Sequence, residues 1–333
     1  MKKNTKLYET VAALLSPGKG ILAADESDPT AGKRLAMVHL PNEPDNRQDF
    51  REILFTAPDI EKYISGVIMY DSSIRNVTDD GIPFADVLTA RGIVPGIKVD
   101  LGTRELQGFK GEVVTQGLDN LADRFAEYYD MGARFAKWRM VVTIDEDKTP
   151  TYEAVKMNCM MMARYAQLAQ AADIVPIVEP EVIHAGDHTL EKAEIETTRT
   201  LQILFQTLQE YKVDMAGLIL KSSMVLAGDV AAEQTSAEEV AQATLRTFHM
   251  SVPHDCAGIV FLSGGQSPER STENLNAIAK RGAQPWPITF SFSRALEEPV
   301  LKAWDGKPEN IEAAKTAMTD VAKQNSEASL GKI

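Results

Sequence analysis

Short apolar runs, each followed by a stretch with apolar residues at helical spacing, recur along the whole chain. The runs fall at 20–25, 64–70, 94–100, 135–142, 174–182, 217–225, 258–265 and 286–293. Each has the length of a strand buried on both faces, and the segments between them carry the i, i+3, i+4 spacing of amphipathic helices. Clear examples are 5–15, 47–57, 118–132 with its stop at Gly132, 150–172, 190–211 and 237–250, the last opened by the capping box Ser236-Ala-Glu-Glu239. Alternation of this kind implies parallel strands joined by crossover helices, and eight units predict one α/β (β/α)8 TIM barrel, a single domain over 1–333. Around that frame, 5–15 is expected to be an outer helix and 101–117 a polar loop excursion. A helix should run from 295 to about 323, with a frayed tail over 324–333. Met160, Met161 and Met162 read as core filler.

Polar residues fall in phase with the apolar runs. Asp25, Lys98, Lys137, Glu179, Lys221, Ser263 and Ser291 stand at or near run ends, and in a (β/α)8 barrel those ends converge on the face that carries active sites. Lys221 lies late in the apolar stretch 215–225. Such a lysine can lay its stem along apolar surface and reach solvent, or it can be a desolvated amine that attacks a carbonyl and forms a Schiff base. Its phase with the other charges favours the second reading. Lys137 and Arg139 are two residues apart, as are Glu179 and Glu181, so on strands each pair shares a face. Paired carboxylates suit acid–base work, and a second cation beside Lys221 would favour its neutral amine through like-charge repulsion. Ser263-Gly264-Gly265 precedes a helix start at Ser267-Pro268, a setting in which backbone amides receive phosphate. Lys98, Arg139 and Arg294 supply further charge for a phosphorylated substrate.

Composition narrows the class of partner. The 333 residues carry a formal net charge of -13, which argues against general nucleic-acid binding while leaving room for a local basic pocket. The two cysteines, Cys159 and Cys256, have no paired spacing and read as buried thiols. His184 and His188 flank Ala-Gly-Asp without a third convergent ligand, so this stretch reads as loop chemistry; no metal and no cofactor are expected. No apolar run reaches membrane-spanning length and none follows Met-Lys-Lys-Asn-Thr-Lys as a signal peptide would, so a soluble cytoplasmic protein without membrane attachment is expected.

GKGILAADES (18–27), PGIKVD (95–100), FAKWR (135–139), VPIVEPE (175–181), FLSGGQS (261–267) and RAL (294–296) together closely resemble the class I fructose-1,6-bisphosphate aldolase family. The resemblance implies a metal-independent Schiff-base enzyme of glycolysis and gluconeogenesis, usually tetrameric. It would reversibly split fructose 1,6-bisphosphate into dihydroxyacetone phosphate and glyceraldehyde 3-phosphate. By position it makes Lys221 the imine-forming residue, Glu179 the proton acceptor, Lys137 its helper and Asp25 the acceptor of the C4 hydroxyl proton. Ser263, Gly264, Gly265, Ser291 and Arg294 match the C1-phosphate site, while Ser27, Lys33, Arg34 and Lys98 match the C6 end, with Arg139 near the reacting carbons. Two departures stand out: Lys221-Ser222-Ser223-Met224 where the family commonly has Lys-Pro-Asn-Met, and Phe292-Ser293 where it commonly has Tyr-Gly. The resemblance gives animal members a C-terminal tail ending in tyrosine, and no such tail is expected here. Alternatives are another Schiff-base barrel, such as a transaldolase or a lyase of a shorter sugar phosphate, which would share Lys221 and differ at the second phosphate site, or a non-catalytic binding scaffold.

Overall fold

A computed structural model describes residues 5–145 and 148–333; residues 1–4 of the charged N-terminus lie outside the described residues. Eight parallel strands close into a barrel. They are β1 (Gly20–Ala24), β2 (Ile64–Met69), β3 (Val94–Lys98), β6 (Phe135–Val142), β7 (Val175–Val182), β8 (Ile219–Ser222), β9 (Gly258–Phe261) and β10 (Ile288–Phe292). The barrel strands run in sequence order around the ring, β10 closing on β1. The remaining pair, β4 (Thr103–Glu105) and β5 (Val113–Thr115), forms an antiparallel hairpin inside what the sequence reads as a plain loop at 101–117. Short strands with exposed residues carry too little alternation to show from sequence.

Paired residues in a parallel sheet share a face, so the register assigns the barrel interior. The pairings Ala23↔Ile68, Ile68↔Gly96, Gly96↔Phe135, Phe135↔Val175 and Ile177↔Ile219 put small, aliphatic and aromatic side chains low in the barrel. Higher on the same inward faces stand Lys98, Lys137, Glu179 and Lys221. Lys137 and Glu179 are not at strand ends, since β6 and β7 continue to Val142 and Val182. The stagger that closes a tilted barrel nevertheless sets Lys137 directly beside Lys98, the last residue of β3.

The helix Thr5–Leu14 is a correction to the sequence reading. It does not join the outer ring; it closes the bottom of the barrel. Leu7, Val11, Leu14 and Leu15 share one buried cluster with Ile21, Ala23, Ile68, Phe135, Val175, Ile177, Ile219 and Val260. Two glycines admit the plug: a Cβ on Gly66 would stand 2.5 Å from Leu14 Cδ2, and one on Gly258 2.4 Å from Leu15 Cδ1. An apolar helical stripe looks the same in sequence whether it meets a barrel's side or its floor.

Three further expectations change. Met162 is fully buried, but Met160 is 43% exposed and only partly fits the role of core filler. The segment after Ala295 is two helices, Arg294–Trp304 and Ile311–Ser329, separated where Asp305 and Gly306 take left-handed φ values of 50° and 67°. The tail at 324–333 is not frayed. Asn325 and Ala328 are fully buried, Asn325 Oδ1 accepts from Thr272 Oγ1 at 3.0 Å, and Ser326 Oγ donates to the Gly18 carbonyl. The carbonyl of Ile333 accepts from Asn276 and Lys280. Its small polar residues are packed at helical spacing, which a hydrophobic pattern does not register.

Candidate active site

At the upper rim of the packed interior, four charges meet. Lys137 Nζ lies 2.7 Å from Asp25 Oδ2 and 3.0 Å from Glu179 Oε2, while Lys221 Nζ lies 3.1 Å from Glu179 Oε1. All four are buried, with Lys137 and Lys221 each only 3% exposed. Charges this far from water persist only when paired, and here each cation has an anion. The Lys137 contact lacks hydrogen-bond alignment at Glu179 Oε2, which leaves that oxygen with lone pairs to offer.

Burial is the largest influence on Glu179 and pushes it up, yet Lys137, Lys221 and Arg139 together overcome it and hold the carboxyl down to about 2. Burial likewise pulls Lys137 down, and Asp25, then Glu179 and Asp100, outweigh it and raise the group above the ordinary lysine range. Glu179 is thus a carboxylate and Lys137 an ammonium at neutral pH. The two lysines do not simply face each other in repulsion, as the sequence reading has it; a shared carboxylate stands between them.

The second residue of each strand pair does different work. Arg139 Nε donates to Glu181 Oε2, so Glu181 is bound to an arginine and contacts neither lysine. Its expected place among the acid–base groups is therefore taken by a charge pair that caps β6 and β7. Lys98 lies 3.1 Å from Asp100 Oδ1 and over the Tyr70 ring at 5.4 Å. Asp100 Oδ2 accepts from the Arg139 amide at 3.3 Å. Sequence reasoning passed over Asp100, although its spacing of two from Lys98 already puts both on one strand face.

The two flanks differ in character. On one, Ser263 and Ser291 are buried, and the Ser291 hydroxyl has no hydrogen-bond partner. Gly264 and Gly265 take left-handed φ values of 54° and 89°, a succession that turns backbone amides toward a common concavity suited to an anion. Arg294, exposed, is the first residue of its helix. On the other flank, Ser27 Oγ lies 3.2 Å from Thr30 Oγ1. Arg34 turns inward with Nε 3.9 Å from both Glu26 and Glu297, whereas Lys33 is exposed and the structure does not bring it into this cluster. Glu26, Arg51, Ser293 and Glu297 were not legible in sequence, because they meet through segments as distant as 26 and 297.

The histidines occupy a backbone-stitched loop. Asp229 N donates to the His184 carbonyl at 3.0 Å and Gly228 N to the His188 carbonyl at 2.8 Å. Among the described residues no group of three or more His, Cys, Asp or Glu side chains is arranged to hold a metal ion. Cys159 and Cys256 are free and buried, and burial pushes both thiols up to about 12. No helix among the described residues is long and apolar enough to cross a membrane.

A barrel whose mouth holds two inward lysines on one carboxylate, between two flanks able to take anions, defines a lysine-centred aldolase-type enzyme. The comparisons give the particular family. A family model described as "Fructose-bisphosphate aldolase class-I" matches residues 6–333. The chain is 48% identical over 328 residues to a probable fructose-bisphosphate aldolase class 1 of Xanthomonas axonopodis pv. citri, covering 98% of each chain. It is 47% identical to a fructose-bisphosphate aldolase of Echinococcus multilocularis, over 99% of this chain and 92% of that one. Among solved structures, a fructose-bisphosphate aldolase from Plasmodium falciparum, in complex with TRAP and a small-molecule inhibitor, superposes with a TM-score of 0.97. It is 42% identical over 98% of this chain and 95% of that chain. The chain belongs to the class I fructose-bisphosphate aldolase family.

Proposed function

We propose that the protein reversibly cleaves fructose 1,6-bisphosphate to dihydroxyacetone phosphate and glyceraldehyde 3-phosphate through an imine on Lys221. The observation that carries this reading is the Lys221–Glu179–Lys137 array, buried on the inward faces of β6 to β8. The Lys221 amine, once its proton has passed to a neighbouring base, attacks the ketose C2. Glu179, a carboxylate with an unaligned oxygen toward the mouth, moves protons as the carbinolamine forms and loses water. With the imine as electron sink, Asp25 takes the C4 hydroxyl proton and the C3–C4 bond breaks. The aldehyde phosphate leaves, the enamine is reprotonated from the lysine side, with Glu179 the group placed to do so, and water hydrolyses the resulting imine to release dihydroxyacetone phosphate and the Lys221 amine. Lys137, bound to both Asp25 and Glu179, keeps the two carboxylates apart and oriented.

Ser263, Gly264, Gly265, Ser291 and Arg294 hold the C1 phosphate. Ser27, Arg34 and Lys98 serve the C6 end, with Arg139 between them. Lys33, an exposed cation outside the cluster, would serve at that rim only by reaching in from the surface. The enzyme acts as a cytoplasmic homo-oligomer, a tetramer by likeness to its family. Borohydride reduction in the presence of dihydroxyacetone phosphate should irreversibly label Lys221, and EDTA should leave activity intact. Labelling at another lysine, or inactivation by chelation, would refute the mechanism.

A further inference from the structure

Behind the C6 flank lies a cluster that the aldol chemistry does not use. Arg51 Nη2 is 2.6 Å from Glu26 Oε2 and its Nη1 is 2.9 Å from Glu297 Oε1, so one guanidinium clamps two carboxyl groups. Glu297 is fully buried and Arg51 is 3% exposed. Ser293 Oγ donates to Glu26 Oε1 at 2.7 Å and lies 3.4 Å from Glu297 Oε2. The residue that departs from the family's usual glycine is therefore a hydrogen-bonding member of this cluster. Arg34 stands 3.9 Å from both carboxyl groups, too far to bond either, and its buried Nε has no partner.

We propose that one proton shared between Glu26 and Glu297 decides whether Arg34 is free to hold substrate phosphate. With the proton present, Glu297 donates its O–H to the Glu26 carboxylate, and Arg51 alone neutralises the single negative charge. Arg34 then keeps a full surplus charge available to the substrate. With the proton lost to solvent, the pair carries two negative charges in a dry setting, and Arg51 balances only one. The nearest remaining cation is Arg34, and closing its 3.9 Å gaps withdraws it from the substrate.

The charged groups that face Glu297 are Glu26, Arg51 and Arg34. None of the buried residues of the helical segments packed against its own, Pro268–Ala279, Ile311–Ser329, Ala36–Val38 and Pro308–Asn310, is titratable. Burial first, then the neighbouring Glu26, raise Glu297 well above the usual carboxylate range. Glu26 is held low, against burial, chiefly by Arg51. Both shifts place the shared proton on Glu297 rather than on Glu26, and the switch operates as pH rises through the range in which Glu297 gives it up. Glu297 is a positioning residue in this scheme, since it reaches the substrate only through Arg34.

The inference rests on Arg34 as a C6-phosphate contact, and the experiment separates the two. The readout is the ratio of kcat/KM for fructose 1,6-bisphosphate to that for fructose 1-phosphate, which lacks the C6 phosphate. Taking this ratio cancels titration of the shared catalytic groups. Across a series raised from neutral pH to as alkaline as the enzyme stays folded, the ratio should fall about tenfold or more in the native enzyme, the loss of one charge-assisted contact. Glu297→Gln, which keeps an N–H donor to Glu26 and cannot ionise, should hold the neutral-pH ratio throughout. Arg34→Ala should give the low ratio at every pH. If Glu297→Gln still shows the alkaline fall while Arg34→Ala lowers the ratio, the shared proton is not the switch. If Arg34→Ala leaves the ratio unchanged, the assignment of Arg34 to the phosphate fails, and the proposal with it.

Discussion

Deleting residues 325–333 should destabilise the fold without impairing chemistry in the molecules that remain folded. The deletion leaves the Gly18 carbonyl without Ser326, Thr272 without Asn325, and Asn276 without the terminal Ile333 carbonyl. It also removes buried Ala328 and the Leu330 side chain, whose Cδ1 lies 3.1 Å from where a Cβ on Gly18 would stand. Thr272 still donates to the Pro268 carbonyl, so at about 1–3 kcal/mol for each of the other two orphaned groups the loss is about 2–6 kcal/mol before the packing of Ala328 and Leu330 is added, a large share of a typical folding free energy. With an unfolding entropy of about 2.1 cal/mol/K per residue, roughly 0.7 kcal/mol/K for this chain, Tm should fall by about 3–9 °C or more. Gly18 lies just before β1, whose end presents Asp25, so the tail supports the site at one remove. Calorimetry of both proteins measures the shift. Assays well below the transition should find cleavage and enamine proton exchange within about threefold of the full chain. A truncated protein melting within about 2 °C of the parent would refute the docking argument. A selective loss of proton exchange, with imine trapping intact, would refute the assignment of that step to the barrel.

Other outcomes follow from the same geometry. The Glu179 carboxyl is depressed from 4.5 to about 2, so its stabilisation is fully present above its unfolded value and is lost as pH falls toward the folded one. Urea unfolding should show Glu179→Gln less stable than the parent by about 3 kcal/mol near neutrality, the gap closing in acid; a pH-independent gap would refute the linkage. Ser291→Ala removes a buried hydroxyl with no partner, so Tm should hold or rise, while affinity for dihydroxyacetone phosphate weakens about two- to tenfold; a fall in Tm with unchanged affinity would reverse the assignment. Gly258→Ala forces a Cβ to 2.4 Å from Leu15 Cδ1 and should lower stability by about 1–3 kcal/mol through the plug; an unchanged denaturation midpoint would mean the helix yields freely.

The barrel was legible because its strands, buried on both sides, leave continuous apolar runs, and the charges on them keep the period of two. That period alone puts Lys137 with Arg139 and Glu179 with Glu181 on shared faces. What it could not give was height along the strand. Lys137 and Glu179 lie mid-strand and reach the mouth through the barrel's stagger, which is a property of closure and leaves no local trace. Nor could it show which of two equivalent carboxylates would meet the lysines. Glu181 is one inward step higher than Glu179 and meets Arg139 instead. The N-terminal helix and the C-terminal tail were misread for one reason: an element's period shows that it packs, and composition alone does not show against what.

Several polar atoms around the mouth are left short of partners while the groups behind them are fully paired. Ser291 Oγ and Arg34 Nε are buried and lack hydrogen-bond partners, and Glu179 Oε2 meets Lys137 only in an unaligned ion-pair contact, whereas Asp25, Lys137, Lys98 and Arg139 are each held in ion pairs. A buried polar atom left unpaired forgoes about 1–3 kcal/mol, and most such atoms in folded proteins find partners. Their position is consistent with the roles proposed for them: Ser291 and Arg34 on opposite flanks, and Glu179 between them at the imine lysine. Paired neighbours fix the orientation of these three, so binding a bisphosphate would satisfy them with little rearrangement of the barrel. An enzyme organised this way should gain stability from ligand chiefly through contacts at those three atoms. The Ser291→Ala and Arg34→Ala variants should therefore each show a smaller rise in Tm on adding fructose 1,6-bisphosphate than the parent does, and an undiminished rise in both would place the stabilising contacts elsewhere.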